Sequence, residues 1–530
     1  MQKRTLLFIL VLFISSFTYG QARAEKWNIR WGDIIKTSRR STLSDIVGYD
    51  KTGIYALKKE FKGIYRMGTF VSLEHYDNSM KLTSSSELVL KKGKEKMKYE
   101  HIISLNEQLY LFSSLKKEKQ NIIYVQTINK KTLQPNKDFK MVGDFSYKGN
   151  LKSNAGKFNL RVSRDSSKIM VYYDLPYKEN ENEKFGFNIF DQNMEHIWSK
   201  QITLPYEEGL FSIEDYKVDN EGNVHLLAVI FDEIRKVKRN GDPNYQYRVL
   251  SFLDQGEETE EYEIDLEGKF LTDMKIAITD ELDIICSGFY SNTGTYSILG
   301  TYFIKVDAES KEIVNQSSKE FGIDFITQNM STRQVKKAVK RSAKGKDVEL
   351  YRYDLDDIVL RSDGGAILLG EQYFVRSHTM TMSNGNGGTT TTTYIYYYYN
   401  DIIVVSISPE GEIEWTKKVP KKQSTVNDSG LFSSYALSIV RNKLYFVFND
   451  DYRNESNTEK IDYAFNGTRG SIVSIVELDT EGNMKKEALL TSKDTGVMTR
   501  PKVCEQVSKN EMVLFGQRGK KQQFLKVSFN

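Results

Sequence analysis

A pattern of short apolar strand, tight polar turn and second apolar strand recurs eight times along this chain, and it restricts the fold more than any other feature. The turns stand at Asp50-Lys51-Thr52-Gly53 before Ile54-Tyr55-Ala56-Leu57, at Asn106-Glu107 before Leu109-Tyr110-Leu111-Phe112, at Asp165-Ser166-Ser167 before Ile169-Met170-Val171-Tyr172, and at Asp219-Asn220-Glu221-Gly222 before Val224-His225-Leu226-Leu227. The other four are Thr279-Asp280-Glu281, Asp363-Gly364-Gly365, Arg441-Asn442 and Lys509-Asn510. Asp, Asn and Gly suit such positions because a tight reversal needs positive φ or a side chain that caps the turning backbone. Each repeat therefore reads as a hairpin.

A second hairpin with the same chemistry follows the first. Examples are Phe303-Ile304-Lys305-Val306 turning at Asp307 into Glu312-Ile313-Val314, and Ile402 to Ile407 turning at Pro409-Glu410-Gly411 into Ile413-Glu414-Trp415. Two hairpins make a four-stranded unit, and the first five units recur at roughly 55 to 60 residues. A unit of this size cannot bury both of its faces alone, and radial packing solves that problem. The predicted fold is all-β, a β-propeller of about eight (seven to eight) four-stranded blades. The last unit, from Pro501 to Phe529, is one strand short, and Trp27-Asn28-Ile29-Arg30-Trp31 matches the fourth strands of the other units, such as Ile413-Glu414-Trp415. The N-terminal strand is expected to complete that blade, which removes an exposed edge. Abundant Tyr (32) and Phe (28) with scarce Pro (7) agree with half-buried pleated surfaces.

The four-strand repeat, together with the stretch Tyr396 to Val405 (YYYYNDIIVV), resembles bacterial secreted β-propellers. The resemblance implies a fold and no activity, since the chain has neither Gly-His with Trp-Asp pairs, nor kelch double glycines, nor a sialidase-type Asp box.

Lys3 and Arg4 precede an apolar run from Leu6 to Phe13, which reads as a signal peptide over residues 1–24. The run is shorter than the roughly 20 residues of a membrane span, and no second apolar stretch reaches that length. The protein is expected to be exported, periplasmic or secreted, with no transmembrane segment. Residues 25–530 read as a single propeller domain with loops inserted at 232–244, 323–348, 376–393 and 449–470. Basic residues (75) nearly balance acidic ones (71), for a net charge of +4, so composition gives no reason to expect a nucleic-acid partner. Cys286 and Cys504, far apart in the chain, read as free buried thiols.

If strands a to d run outward in each blade, the a–b and c–d turns share one face and are short throughout. Every long insertion falls on the other face, which marks it as the working surface. Two insertions are basic: Arg235, Lys236, Lys238 and Arg239 form one cluster, and Lys336, Lys337, Lys340 and Arg341, extended by Lys344 and Lys346, form the other. The second cluster reads as a helix, opened by a Ser331/Gln334 capping box, stopped at Gly345, and docked through Val335, Ala338, Val339 and Ser342. The stretch Ser383 to Thr393 is low in complexity and expected to be mobile. It leads into Tyr394, Tyr396 and Tyr398, which can form a stacking platform; packing between blades explains these tyrosines equally well.

No nucleophile elbow, phosphate loop, His-Glu-x-x-His or Cys-x-x-Cys occurs, so no catalytic residue, cofactor or metal ligand is assigned. His101 and His225 read as packed side chains. The segment Asp219 to Asn223 reads as a turn, because a calcium loop needs a bidentate Glu downstream. The functional expectation is a noncatalytic binding or scaffold module that engages a cell-envelope protein or glycan through the loop-rich face. A hydrolase or lyase with carboxylates gathered from several blades stays open, as does a structural subunit of a surface assembly.

Overall fold

A computed structural model of the chain describes residues 27–38, 41–61, 69–147, 156–176, 181–233, 237–239, 241–383, 388–467, 470–491, 494 and 496–530. The architecture is a β-propeller of four-stranded antiparallel blades. Seven blades run in chain order over residues 41–87, 98–146, 157–207, 211–264, 270–320, 353–419 and 436–491. The eighth takes its first three strands from residues 505–529 and its fourth from Trp27–Trp31. Blades 1, 7 and 8 belong to one compact unit, and blades 2 to 6 to a second.

In the first unit the closing strand pairs antiparallel with the C-terminal strand, Trp27 opposite Phe529 and Trp31 opposite Leu525. The indole of Trp27 meets Phe529 and Tyr445 edge-on, with ring centroids 5.6 and 5.8 Å apart, so the same residue that completes blade 8 also packs against blade 7. Tyr76 of blade 1 meets Phe524 of blade 8 at 4.5 Å.

In the second unit each pair of neighbouring blades encloses its own apolar cluster. Phe187 and Trp198 of blade 3 pack with Phe252 of blade 4, Tyr247 and Val249 of blade 4 with Met274 and Tyr302 of blade 5, and Phe289 and Phe303 of blade 5 with Leu368 and Val405 of blade 6. Both faces of blades 3, 4 and 5 are covered in this way, so strands such as Ile284–Ser291 are buried at every position. That explains their continuous apolar runs.

The turns follow the expected chemistry. Asn106 and Glu107, and again Arg441 and Asn442, take positive φ in succession (48° and 60°, 52° and 62°), the geometry of a two-residue hairpin turn that matches strand twist. Cys286 and Cys504 are free thiols, and burial pushes each up to about 12.

Three features depart from the sequence reading. Most of the insertion expected at 376–393 is strand: strand b of blade 6 runs from Ala366 to Ser383 and strand c from Thr389 to Ile407, paired up to Ser383 opposite Thr389, and residues 384–387 of the low-complexity segment lie outside the described residues. Threonine is a good strand former on an exposed pleat, and the hydroxyls of Thr379 and Thr393 bond across the ribbon at 3.1 Å. His101, expected as a packed side chain, is exposed; it lies opposite Phe112, next to the bulge in blade 2. One c–d connection is long, at 130–139 of blade 2, where Gln134–Pro135 adds a short extra strand.

Candidate functional site

The candidate site lies within the second unit, where the b–c and d–a connections of blades 4 to 6 converge. Its frame is set by the first strands of these blades. Each carries a β-bulge followed by an aspartate: Ile213-Glu214-Asp215, Leu271-Thr272-Asp273 and Leu355-Asp356-Asp357. Leu43-Ser44-Asp45 in blade 1 repeats the pattern. The extra residue disrupts the ladder locally, and the aspartate carboxylate then accepts the next backbone N–H, from Tyr216, Met274 and Ile358 at 2.9 Å each. In blade 5 the second oxygen, Asp273 Oδ2, also accepts the Leu355 N–H of blade 6 at 2.8 Å.

A cleft of about 340 Å³ opens there, lined by Asp273, Tyr296, Arg352, Asp354, Tyr373 and Phe374 among others. Burial pushes the Asp273 carboxyl up to about 6, against the backbone N–H of Leu355 and the charge of Lys275, with Asp354 adding to the rise. Asp354 is itself raised by burial, partly countered by Arg352. One wall is held by Glu349. It accepts hydroxyl bonds from Ser291, Thr293 and Ser297 and the Asn292 N–H at 3.0 Å, which fastens residues 343–352 to the loop that carries Tyr296. Burial opposes ionisation of Glu349, but these donors outweigh it and hold the carboxyl below its usual range.

From the cleft an aromatic strip runs out along the extended ribbon of blade 6. Arg352 lies over the Tyr296 and Tyr351 rings at 5.0 and 5.6 Å. Tyr351 meets Phe374 at 6.1 Å, Phe374 stacks on Tyr398 at 4.6 Å with planes 17° apart, and Tyr398 is followed by Tyr396 at 6.5 Å. Arg376 caps Phe374 at 5.2 Å. The pairing of Phe374 with Tyr398, Arg376 with Tyr396 and His378 with Tyr394 puts all of these on one face of the ribbon, because facing residues of an antiparallel pair share a side. Tyr296 and Tyr351 are 64% and 49% exposed, so the strip is an accessible surface and not core.

Tyr394, Tyr396 and Tyr398, named from the sequence, thus share a face. Lys336, Lys337, Lys340 and Arg341 lie exposed on the helix Thr332–Ser342, entered through Ser331, whose N–H donates to Gln334 Oε1 at 2.9 Å. Ala338 is the buried member of that helix, while Val339, expected to dock, is 49% exposed. Lys238 belongs to the other basic cluster. It lies in a short strand paired with Asp242–Pro243 and donates to the Thr293 carbonyl at 3.4 Å. Arg239 follows it in that strand, and Arg235 and Lys236 lie outside the described residues. The sequence reading missed Tyr296, Tyr351, Arg352, Phe374, Asp273 and Asp354. Aligning the repeats on the apolar-x-Asp step before each first turn, and not on the turns alone, would have found Asp273.

A second polar constellation sits by the short turns of blade 4. Asp219 Oδ1 accepts the N–H groups of Glu221, Gly222 and Asn223 at 2.9, 2.7 and 2.8 Å, while Oδ2 lies 3.3 Å from His225 Nε2. His225 Nδ1 is 2.9 Å from Ser251 Oγ. All three side chains are buried, and the carboxylate is consumed by the turn, in which Gly222 takes a φ of 96°. The arrangement ties the turn to strands b and c. Among the described residues no group of three or more His, Cys, Asp or Glu side chains could hold a metal ion.

No protein-family model matches this chain, and no curated protein matches it. Among solved structures it is similar to the WD40 domain of SCAP from fission yeast, at 9% identity over 96% of this chain and 95% of that one, with a TM-score of 0.38. It is also similar to prolyl oligopeptidase B from Galerina marginata, at 11% identity over 96% of this chain and 57% of that one, TM-score 0.35. A Synechocystis apocarotenoid oxygenase gives 8% identity over 74% and 93%, TM-score 0.29. At TM-scores below 0.5 these likenesses assign no activity.

Proposed function

We propose that this chain is an exported, noncatalytic binding module of the cell envelope, and that its loop-rich face holds a glycan. The observation that carries the reading is the aromatic strip of exposed Tyr296 and Tyr351 and half-buried Phe374, Tyr398 and Tyr396. The exposed surfaces of Tyr296 and Tyr351, with the accessible edges of the stacked Phe374, Tyr398 and Tyr396, offer apolar area to sugar rings, and the threonine hydroxyls of the ribbon with Asp273, Asp354 and Arg352 in the cleft supply polar partners. Export rests on the basic and apolar N-terminal segment; among the described residues no helix is long and apolar enough to cross a membrane.

The test is retention of the full chain on an array of envelope glycans, with analysis of any product. Binding without cleavage, lost in Phe374→Ala/Tyr398→Ala, supports the module; no retention on any glycan refutes it. A second reading draws on Asp273 and Asp354, two carboxyls of raised pKa in one cleft, which is the equipment of a hydrolase or lyase. Cleavage products that disappear in Asp273→Asn would establish that reading instead.

A further inference from the structure

We infer that the glycan this face takes is an acidic polysaccharide, its sugar rings on the aromatic strip and its negative groups on the helix Thr332–Ser342 and its exit. The inference rests on the glycan reading above and goes on to name the ligand's charge.

The helix and the four residues after it carry Lys336, Lys337, Lys340, Arg341, Lys344 and Lys346, all exposed, and no acidic residue stands anywhere from Thr332 to Lys346. Among the described residues none of these six cations forms an ion pair. Lys336 with Lys340, and Lys337 with Arg341, are like charges one turn apart, a spacing at which they weaken a helix. The cations repel one another, a repulsion that water and salt screen in part and that a bound polyanion relieves.

Position joins this patch to the strip. Tyr351 and Arg352 lie a few residues beyond Lys346 on the same connection, and Glu349 clamps that connection onto the Tyr296 loop. Asn292 Nδ2 also donates to Asp347 at 3.1 Å. Asp347 and Glu349, the acids nearest in sequence, are held by donors of the neighbouring loop and, among the described residues, form no ion pair with these cations. Arg352, Arg376 and Lys238 continue the positive charge along the connections of blades 4 to 6. An anionic membrane is the less suited occupant: Val339 is the only large exposed apolar side chain on the helix, and interfacial helices need a broad apolar face to insert.

The experiment compares binding of the full chain to polygalacturonate, to dextran and to vesicles containing phosphatidylglycerol, at low and at physiological salt. Variants are Lys336→Glu/Lys337→Glu/Lys340→Glu/Arg341→Glu, and Phe374→Ala/Tyr398→Ala. The expected result is tighter binding of polygalacturonate than of dextran, weakened about tenfold or more by salt and by charge reversal, as exposed charge pairs require. The aromatic variant should lose both glycans. Dextran and polygalacturonate bound equally, with charge reversal inert, would overturn the acidic inference and leave the glycan reading intact. Binding of neither glycan would overturn the acidic inference, and no retention on any glycan of the envelope array would sink the glycan reading with it. Vesicle binding that depends on the helix, with no polygalacturonate binding, would overturn the inference in favour of a lipid surface. The four reversed residues are solvent-exposed, so an unchanged melting temperature confirms that the variant is folded.

Discussion

Asp273 Oδ2 accepts the backbone N–H of Leu355 at 2.8 Å, joining the first strand of blade 5 to the first strand of blade 6 directly beneath the cleft. The bond places a titratable carboxyl where neighbouring blades meet, and burial raises it to about 6. A carboxyl raised in the folded state is favoured in its neutral form. Its contribution to stability is therefore fully present below the unfolded value and is lost as pH rises through about 6.

That titration changes the charge of the cleft, where Arg352 and Asp354 lie beside Asp273 and the charge of Lys275 acts on it. Lowering pH from 7 to 5 neutralises Asp273 while a uronate ligand, with an ordinary carboxyl pKa near 4, stays ionised. Affinity for polygalacturonate should rise severalfold over this range, by titration calorimetry, and Asp273→Asn should flatten the profile. An unchanged profile in that variant would assign the pH response to another group.

The closing strand should carry a large share of the stability of blades 7 and 8. Trp27→Ala removes a buried aromatic that touches both Phe529 and Tyr445, and a loss of about 3 to 5 kcal/mol is expected in urea unfolding. Trp31→Ala is the control: Trp31 is 37% exposed and should cost much less.

Asp219 is held below the ordinary carboxylate range. Burial opposes this, but bonds from His225, Asn223 and the turn N–H groups outweigh it. A carboxyl lowered in this way stabilises the fold above its unfolded value of 3.8 and ceases to do so as pH falls through the folded value. Asp219→Ala should cost about 1 to 3 kcal/mol at pH 7, because it strands three turn donors. The difference from the wild-type chain should shrink in chemical unfolding at acid pH.

Removing the stack in Phe374→Ala/Tyr398→Ala should leave the melting temperature nearly unchanged, since the ribbon beyond Tyr373 contributes little to the blade core. A glycan's affinity should drop about tenfold or more, at roughly 1 to 2 kcal/mol for lost ring contact. Equal loss of stability and binding would mark the rings as structural.

The regular parts of this fold were legible because they rest on local chemistry. The Asn106-Glu107 and Asp219–Gly222 turns, the Ser331 cap and the match between Trp27–Trp31 and the other fourth strands depend on a few neighbouring residues. The ribbon escaped because a threonine run next to Asn-Gly repeats carries no apolar alternation; its pairing is imposed by the long register that starts in the buried part of blade 6. The cleft escaped for a different reason. Tyr296, Arg352 and Phe374 come from three separate segments, and nothing in the order of residues says that Glu349 will fasten the Arg352 connection to the Tyr296 loop. Val339 follows helical spacing faithfully, yet the helix is anchored at Ala338 and leaves it in water.

The strand Trp27–Trp31 and its partner Lys521–Phe529 are separated in chain order by all seven other blades. Their pairing closes a very long loop, so its entropic cost is met before the contact stabilises anything. Until it forms, both strands present unpaired edges that are open to wrong partners. A variant with residues 27–31 moved to follow Asn530 through a short turn would convert that distant meeting into a local hairpin. It should reach the same fold faster, with less aggregation on the way.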